Sequence, residues 1–349
     1  MNKKKVISFF FIVSLLGTAL YMPYQSTPIS ISYPNHWPEP VYNFKLNPLT
    51  KEGVDLGRKL FYDPILSKDS SISCSNCHLS FTAFAHVDHR LSHGINDSIG
   101  TRNSPALMNL VWSTHFMWDG GVNHLDVQAL APITHPAEMG EDLADVVTKL
   151  QATQHYPLLF KQLYGDSIIT GERVLKSISQ FELTLISCNS KYDSVMRKET
   201  SFTGQEIKGY QLFQQNCASC HSEPLFTNHQ FENNGLLPDS MLQDMGRMKI
   251  TLNPNDSLKF KVPTLRNIEF SYPYMHDGRF KNLTEVLNHY TNGIHSSKTL
   301  SEPLQGGIPL NPHEKVDITA FLLTLTDKNF LFNKDFSYPQ PFFLTKTKD

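Results

Sequence analysis

Two cysteine pairs, each followed at once by a histidine, are the groups whose spacing points most directly to chemistry. They are Cys74, Cys77 and His78 in the first motif, and Cys217, Cys220 and His221 in the second. Two thiols one helical turn apart can add to the two vinyl groups of a porphyrin, and the adjacent imidazole can ligate its iron. The repeated motif predicts two covalently bound haem c groups, each with one histidine ligand.

Two other uses of cysteine pairs compete with this prediction. Exported proteins form disulfides, and two cysteine pairs together can hold a zinc ion. Neither use explains the histidine after each pair, and the pairs lie farther apart in sequence than those of a compact zinc ribbon. The fifth cysteine, Cys188, has no partner in this scheme and lies in an apolar stretch, so we expect a small buried side chain there.

The N-terminus has the charge pattern of an export signal. Lysines at positions 3–5 precede an apolar run from Val6 to Met22. No clear small-x-small cleavage site follows, so residues 1–24 are predicted as an export signal or an N-terminal membrane anchor. Residues 25–45 are rich in Pro and Ser and are predicted as a linker. We expect a periplasmic protein, either free or anchored to the inner membrane.

An internal duplication indicates the elements that must position the haem groups. GRKLF at 57–61 precedes the first motif and GYQLF at 209–213 precedes the second, where Thr203 and Glu206 form a capping-box pattern. Arg-Asn pairs at 102–103 and 266–267 follow the motifs, and Asp-Gly pairs at 119–120 and 277–278 come next. Each half closes with Phe-x-Leu-Thr-Leu, at 181–185 and 321–325.

The duplication predicts a mainly α fold with two cytochrome c-like domains in tandem, residues 46–200 and 201–349. Each domain would wrap one covalently attached haem, and no β-alternating run of useful length argues for a sheet. A first and a last helix would cross behind each haem, with Gly57 and Gly209 permitting close approach. The formal net charge is only -2, so no strong field favours nucleic acid.

The two halves differ at residues expected on the open side of the haem. Glu138 and Gln128 follow the first motif, whereas Val286 occupies the position that matches Gln128. A carboxyl group can move a proton between the two oxygens of a peroxide, and an amide can hold bound oxygens in place. Taken alone, a Glu or Gln at such a position is more often a solvated side chain. The second half, with Val286 in place of the amide, suits electron transfer.

Six segments of this sequence resemble the bacterial diheme cytochrome c peroxidases and the MauG-type enzymes that share their fold. The resemblance covers about residues 46–330. The segments are FYDPILS at 61–67, RNSP at 102–105, WDG at 118–120, DMGR at 244–247, FKVPTLRN at 260–267 and PYMHDG at 273–278.

The resemblance implies roles for residues at matching positions. The N-terminal haem would be the peroxidatic one, with Glu138 on the family's catalytic acid-base and Gln128 on its distal glutamine. Trp118 falls on the tryptophan that relays electrons between the haems. In many members a loop histidine ligates the peroxidatic iron at rest, and His93 lies on the matching stretch. The spacing differs slightly, so two nearby histidines are rivals, His86 and His89.

The family also holds a calcium ion between its domains, through an Asn side chain and backbone carbonyls. Asn103, Ser271 and Pro273 occupy those places here, and oxygen ligation of calcium permits them. The resemblance thus implies a calcium ion beside two haem c groups. Dimers are common among relatives, so a homodimer is a further expectation.

One departure from the classical peroxidases concerns the second haem. They ligate it with methionine, whereas this sequence has Tyr290 at the matching place, as MauG-type enzymes do. A phenolate oxygen favours the higher oxidation states of iron. Neighbouring His289 and Met275 are rival ligands. If one of them ligates the second haem, Tyr290 would be a core residue.

Three functions are consistent with these residues. The first is a peroxidase that reduces hydrogen peroxide to water with electrons from a small c-type cytochrome or another redox protein, passed from the C-terminal haem to the N-terminal haem. The second is a MauG-like oxidase that uses peroxide to oxidise a Tyr or Trp of a partner protein. The third is a non-enzymatic electron-transfer cytochrome with two permanent ligands on both irons.

Overall fold

The computed structural model describes residues 26–346, and these residues are mainly helical, as predicted. The predicted export signal or anchor, residues 1–24, lies outside this range. Among the described residues no helix is long and apolar enough to cross a membrane. The α-helices are α1 Lys51–Tyr62, α2 Cys74–Cys77, α3 Leu130–Thr134, α4 Leu143–Gln151, α5 Tyr156–Tyr164, α6 Gly171–Leu183, α7 Lys191–Met196, α8 Gly204–Asn216, α9 Met248–Thr251, α10 Leu283–Asn288, α11 Pro312–Leu323, α12 Lys328–Leu331 and α13 Gln340–Lys346.

The described residues form one small sheet of two strands, β1 Phe231–Glu232 and β2 Phe260–Lys261. The strands are antiparallel, with Phe231 opposite Lys261. Short 3-10 turns and long loops connect the helices, and a π-helical turn, His289–Gly293, continues α10. The loops therefore supply much of the wall around any group held between the helices.

Each half is built on a pair of crossed helices that corresponds to the predicted first and last helix. In the first half α1 packs on α6, and in the second half α8 packs on α11. Thr50 and Thr170 cap α1 and α6 through their side chains. Thr203 and Glu206 form a complete capping box at α8, which confirms that prediction.

Two glycines allow these helix pairs to approach closely. A Cβ on Gly57 would lie 1.8 Å from the carbonyl oxygen of Ser177, and a Cβ on Gly209 would lie 1.9 Å from the carbonyl oxygen of Asp317. No side-chain carbon fits at that distance from a backbone oxygen. The predicted close approach is confirmed at both positions.

The second half repeats the first in a different alignment from the predicted one. The N–H of Asn109 donates to the carbonyl at position 185 over 2.8 Å, and the N–H of Asn267 donates to the carbonyl at position 325 over 3.1 Å. Residues 105–109 therefore match residues 263–267, and the predicted pairing of the two Arg-Asn dipeptides is wrong. The N–H of Asn103 instead donates to the carbonyl of His276 in the other half over 2.7 Å.

Both ends of the described chain pack against the first half. Trp37 is 4% exposed and its ring lies 5.1 Å from that of Trp112, so the segment predicted as a linker is packed there. At the other end, the Arg58 guanidinium of α1 donates to the carbonyls of Lys334 and Ser337. The residues after α11 thus return from the second half to the first.

Candidate haem sites

A continuous cavity of about 590 Å³ passes through both halves of the described chain. The six residues of the two Cys-x-x-Cys-His motifs all line it, together with residues of the facing loops. All five cysteines are free, so the disulfide alternative finds no support. Within residues 26–346 no group of three or more His, Cys, Asp or Glu side chains is arranged to hold a metal ion.

The first motif forms the short helix α2 and ends in a fixed imidazole. The Nδ1 atom of His78 lies 2.6 Å from the carbonyl oxygen of Phe84, which leaves Nε2 as the atom available to a metal. Burial lowers the pKa of His78 to about 4, so the ring is neutral at physiological pH. A neutral, oriented imidazole is the form that ligates iron.

The second motif follows α8 and has the same arrangement. The Nδ1 atom of His221 lies 3.1 Å from the carbonyl oxygen of Pro263 and 3.2 Å from that of Phe226. Burial lowers the pKa of His221 to about 4. Two oriented imidazoles, two pairs of free thiols and one large cavity fit two haem c groups.

Glu138 and Gln128 both line the cavity, in the half that holds the first motif. Burial raises the pKa of Glu138, and this effect outweighs the opposite effect of His135, whose Nδ1 lies 3.8 Å from Oε1. The Nε2 amide of Gln128 donates to Met117 Sδ over 3.5 Å. Val286 lines the cavity in the second half, so the polar and apolar members of this repeat position both face it.

Trp118 lies where the two halves meet. Its indole N–H donates to the carbonyl of Asn103 over 2.8 Å, and its own carbonyl accepts from the N–H of Lys261 in the second half over 2.7 Å. The first half therefore holds the indole ring of Trp118, and the second half holds its backbone.

Of the three loop histidines, only His93 lines the cavity. The ring of His89 lies 4.3 Å from that of His93 and 5.3 Å from that of His86, so the three rings form a row. Cys77 of the first motif lies beside His93, with its Sγ 3.6 Å from the His93 carbonyl oxygen. The placement favours His93 over its two rivals, and its ligand role stays a prediction.

Tyr290 and Met275 both line the cavity in the second half, whereas His289 does not. His289 Nε2 lies 3.0 Å from the carbonyl oxygen of Asn234, and the Asn234 amide donates to Met275 Sδ over 3.3 Å. Burial raises the pKa of Tyr290 to about 12. Tyr290 lies on the π-helical turn, a local geometry often found at functional sites.

The three residues implied for calcium, Asn103, Ser271 and Pro273, all line the cavity. The Asn103 amide donates to the carbonyl of Arg90 over 3.1 Å. A calcium ion there would rely on amide and carbonyl oxygens. This site stays a prediction.

Several charged residues that line the cavity have no role predicted from the sequence, among them Arg102, Lys261 and Glu182. Arg102 joins the halves, since its guanidinium contacts Asp119 and, across the interface, Asp244, each at 2.6 Å. Lys261 is half-buried and donates to the carbonyl of His115 over 3.1 Å. Glu182 lies on α6 at the position that Leu322 occupies on α11. A residue-by-residue comparison of the two repeats would therefore have identified Glu182 as a difference between the halves.

These features define the class of protein: two c-type cytochrome units in tandem, with polar residues on the cavity wall of the first. A family model described as di-haem cytochrome c peroxidase matches residues 51–201, and one described as cytochrome c matches residues 207–326. The chain belongs to the di-haem cytochrome c peroxidase and MauG family.

Relatives of both kinds support this assignment. The chain is 36% identical over 300 residues to the methylamine utilization protein MauG of Methylorubrum extorquens, covering 82% of each chain. It is 32% identical over 321 residues to a cytochrome c551 peroxidase of Nitrosomonas europaea, covering 90% of each. A crystal structure of a MauG-like protein associated with microbial copper homeostasis has a TM-score of 0.80 and 30% identity, and covers 89% of this chain and 99% of that one.

Proposed function

We propose that this protein is a peroxidase that reduces hydrogen peroxide to water at the first haem. Electrons come from a reduced c-type cytochrome or another redox protein, enter at the second haem and reach the first by way of Trp118. The observation that carries the proposal is that Glu138 and Gln128 face the cavity in the first half, whereas Val286 faces it in the second.

Haem bound at the first motif supplies the iron that binds peroxide and exchanges electrons. Glu138 takes a proton from one peroxide oxygen and delivers it to the leaving oxygen. Its raised pKa suits this role, because a group that titrates nearer neutrality can both accept and donate a proton. The amide of Gln128 holds the oxygens in line with that carboxyl.

Trp118 supports the electron route because it is fixed between the halves by one bond to each. Its indole bonds to Asn103 in the first half and its carbonyl to Lys261 in the second. A ring held in one orientation keeps its own distance to each haem site constant.

The test is steady-state peroxide consumption by the haem-loaded protein with reduced cytochrome c as donor. Replacing Glu138 by Gln keeps the size of the side chain and removes its proton exchange, so we expect the rate to fall by about 10²–10⁴-fold. Glu172→Gln is the matched control, because that glutamate is exposed on α6. Negligible turnover by the wild-type protein, or an unchanged rate in Glu138→Gln, would refute the proposal.

Tyr290 favours a second candidate, a MauG-like oxidase that withdraws electrons from a Tyr or Trp of a partner protein. A tyrosine at the second haem, instead of a methionine, stabilises oxidised iron and makes electron entry from a cytochrome less favourable. Spectra of a Tyr290→Phe variant should show a changed second haem, and an unaltered spectrum would place the ligand elsewhere. Peroxide-dependent oxidation of a partner without cytochrome turnover would favour this candidate.

A further inference from the structure

Glu182 is a buried carboxyl group that the proposed peroxide reaction does not use. Its side chain lies on α6, lines the cavity and is 3% exposed. The Oε2 atom is buried and has no hydrogen-bond partner among residues 26–346. A buried polar atom without a partner is costly, so its presence needs a reason.

The first haem motif lies beside this carboxyl. Burial raises the pKa of the Cys74 thiol, and the charge of Glu182 raises it further. The second half has Leu322 at the matching position of α11, where it also lines the cavity. The crossed helices therefore fold without a carboxyl at this position, and Glu182 is a feature of the first haem site alone.

A group of polar residues links α6 to solvent one helical turn before Glu182. We call it the Asp126 cluster. The Ser179 hydroxyl donates to Asp126 Oδ1 over 2.6 Å, and the Tyr42 hydroxyl donates to the same oxygen over 2.7 Å. His124, whose side chain is 43% exposed, lies 3.9 Å from the other oxygen of Asp126. Residues three apart on a helix share a face, so the cluster adjoins Glu182.

Burial raises the pKa of Glu182 to about 8, and the charge of Asp126 adds to this effect. On the packed helices α1 and α4, the charged residues with other partners are Glu52, Asp55, Arg58, Lys59 and Lys149, and the two others, Lys51 and Asp145, are exposed. The protonation of Glu182 is therefore sensitive to a change of charge in the cavity.

We propose that Glu182 binds one proton for each electron that the first haem takes up, and releases it when that electron leaves. An added electron makes the cavity more negative, which favours the protonated carboxyl. The electron comes from the redox donor, and the proton comes from solvent. The inference rests on haem c occupying the first site, as the proposed function does, but it does not depend on peroxide turnover.

The test is a spectroelectrochemical titration of the full-length haem-loaded protein without peroxide, at pH values on both sides of 8. We expect the midpoint potential of the first haem to fall as pH rises. One proton per electron is a tenfold change in the reduction equilibrium per pH unit, about 59 mV. Glu182→Gln and Glu182→Leu should abolish this dependence, and Leu reproduces the residue of the second half.

Three controls separate Glu182 from other groups. The second haem in the same sample has Leu322 at the position of Glu182, so the part of the dependence that Glu182 causes should be absent there. Asp126→Asn removes a charge that raises the pKa of Glu182, so the dependence should move to lower pH. Glu138→Gln removes the other carboxyl with a raised pKa in the first half of the cavity, and the dependence should remain in this variant because Glu182 is still present.

Several results would overturn the inference. One is a midpoint potential of the first haem that does not vary with pH in the wild-type protein. The others are a pH dependence of that potential that persists in Glu182→Gln, or one that disappears in Glu138→Gln. If the Glu182 variants fail to attach haem, Asp126→Asn becomes the deciding variant. A pH dependence of the first haem potential that stays at the wild-type pH in Asp126→Asn would then overturn the inference. A pH-dependent potential in a protein that does not turn over peroxide would support the inference and refute the proposed function.

Discussion

Replacing Arg102 by Met should destabilise the haem-loaded protein more than the loss of any exposed ion pair. The guanidinium bonds to Asp244 through Nε at 2.6 Å and through a terminal nitrogen at 3.0 Å, and to Asp119 at 2.6 Å. Both carboxylates are buried. Removing one partner of a buried pair costs about 3–5 kcal/mol, because the remaining charge is left without compensation. The Arg102 side chain is 18% exposed, which places the expected loss near 3 kcal/mol, the lower end of that range.

Lys249 provides a matched control on the same carboxylate. Its Nζ lies 3.2 Å from Asp244 Oδ1, but its side chain is 45% exposed. Exposed pairs contribute about 0–1 kcal/mol, so Lys249→Met should change the free energy of unfolding by less than about 1 kcal/mol. Urea unfolding followed by haem absorbance and by far-ultraviolet circular dichroism measures both variants. Equal losses in the two variants would show that burial does not govern the strength of these pairs.

The pH dependence of the same pair has a definite sign. Burial raises the pKa of Asp244, but the hydrogen bonds and charge of Arg102 outweigh burial and hold that pKa well below 3.8. A carboxyl whose folded pKa is lowered contributes stability that is complete above its unfolded pKa and is lost as pH falls through the folded pKa. The difference in stability between wild type and Arg102→Met should therefore narrow below about pH 3.8. A difference that stays constant down to the acid transition would refute the reasoning.

Two further predictions concern catalysis and packing. In His135→Gln, the loss of an imidazole that lowers the pKa of Glu138 should raise that pKa. The acid limb of kcat/KM should move upward by about 0.2–0.7 pH units, since an exposed pair contributes about 0.2–1 kcal/mol; a downward shift would contradict this. Gly57→Ala should cost about 3 kcal/mol in urea unfolding, because its Cβ would meet a backbone oxygen. Gly204→Ala, with no atom within 4 Å of the added Cβ, should cost nothing.

The sequence allowed the crossed helices and the haem motifs to be predicted because their signals are local. A capping box spans four residues and a Cys-x-x-Cys-His motif spans five, so neighbouring residues are enough to identify them. Gly57 and Gly209 were found because each occupies the same position in a repeated helix. The same approach failed for the Arg-Asn dipeptides, because identical residue types at 102–103 and 266–267 occupy different places in the two halves.

Contacts between distant segments could not be predicted from local signals. Arg266 is fully buried and bonds to Asp193 through two nitrogens, at 2.9 and 2.8 Å, while its guanidinium lies 4.5 Å from the ring of Trp37. These three residues come from three separate parts of the chain. Composition alone assigns the Trp37 segment to a linker, and the aromatic contacts that fix it are made by residues far away in sequence.

The corrected alignment of the repeats distinguishes structural differences between the halves from functional ones. Arg266 matches Met108, and it forms a buried ion pair that satisfies its charge within the protein, so this difference concerns stability. Glu182 matches Leu322, and its buried oxygen has no partner in the described part of the chain. A buried charge that has an ion-pair partner within the protein, as Arg266 has, can be explained by the stability of the fold. A carboxyl that faces the cavity without a hydrogen-bond partner has to be explained by what the cavity binds. We therefore expect electron uptake and proton uptake to be coupled at the first haem site.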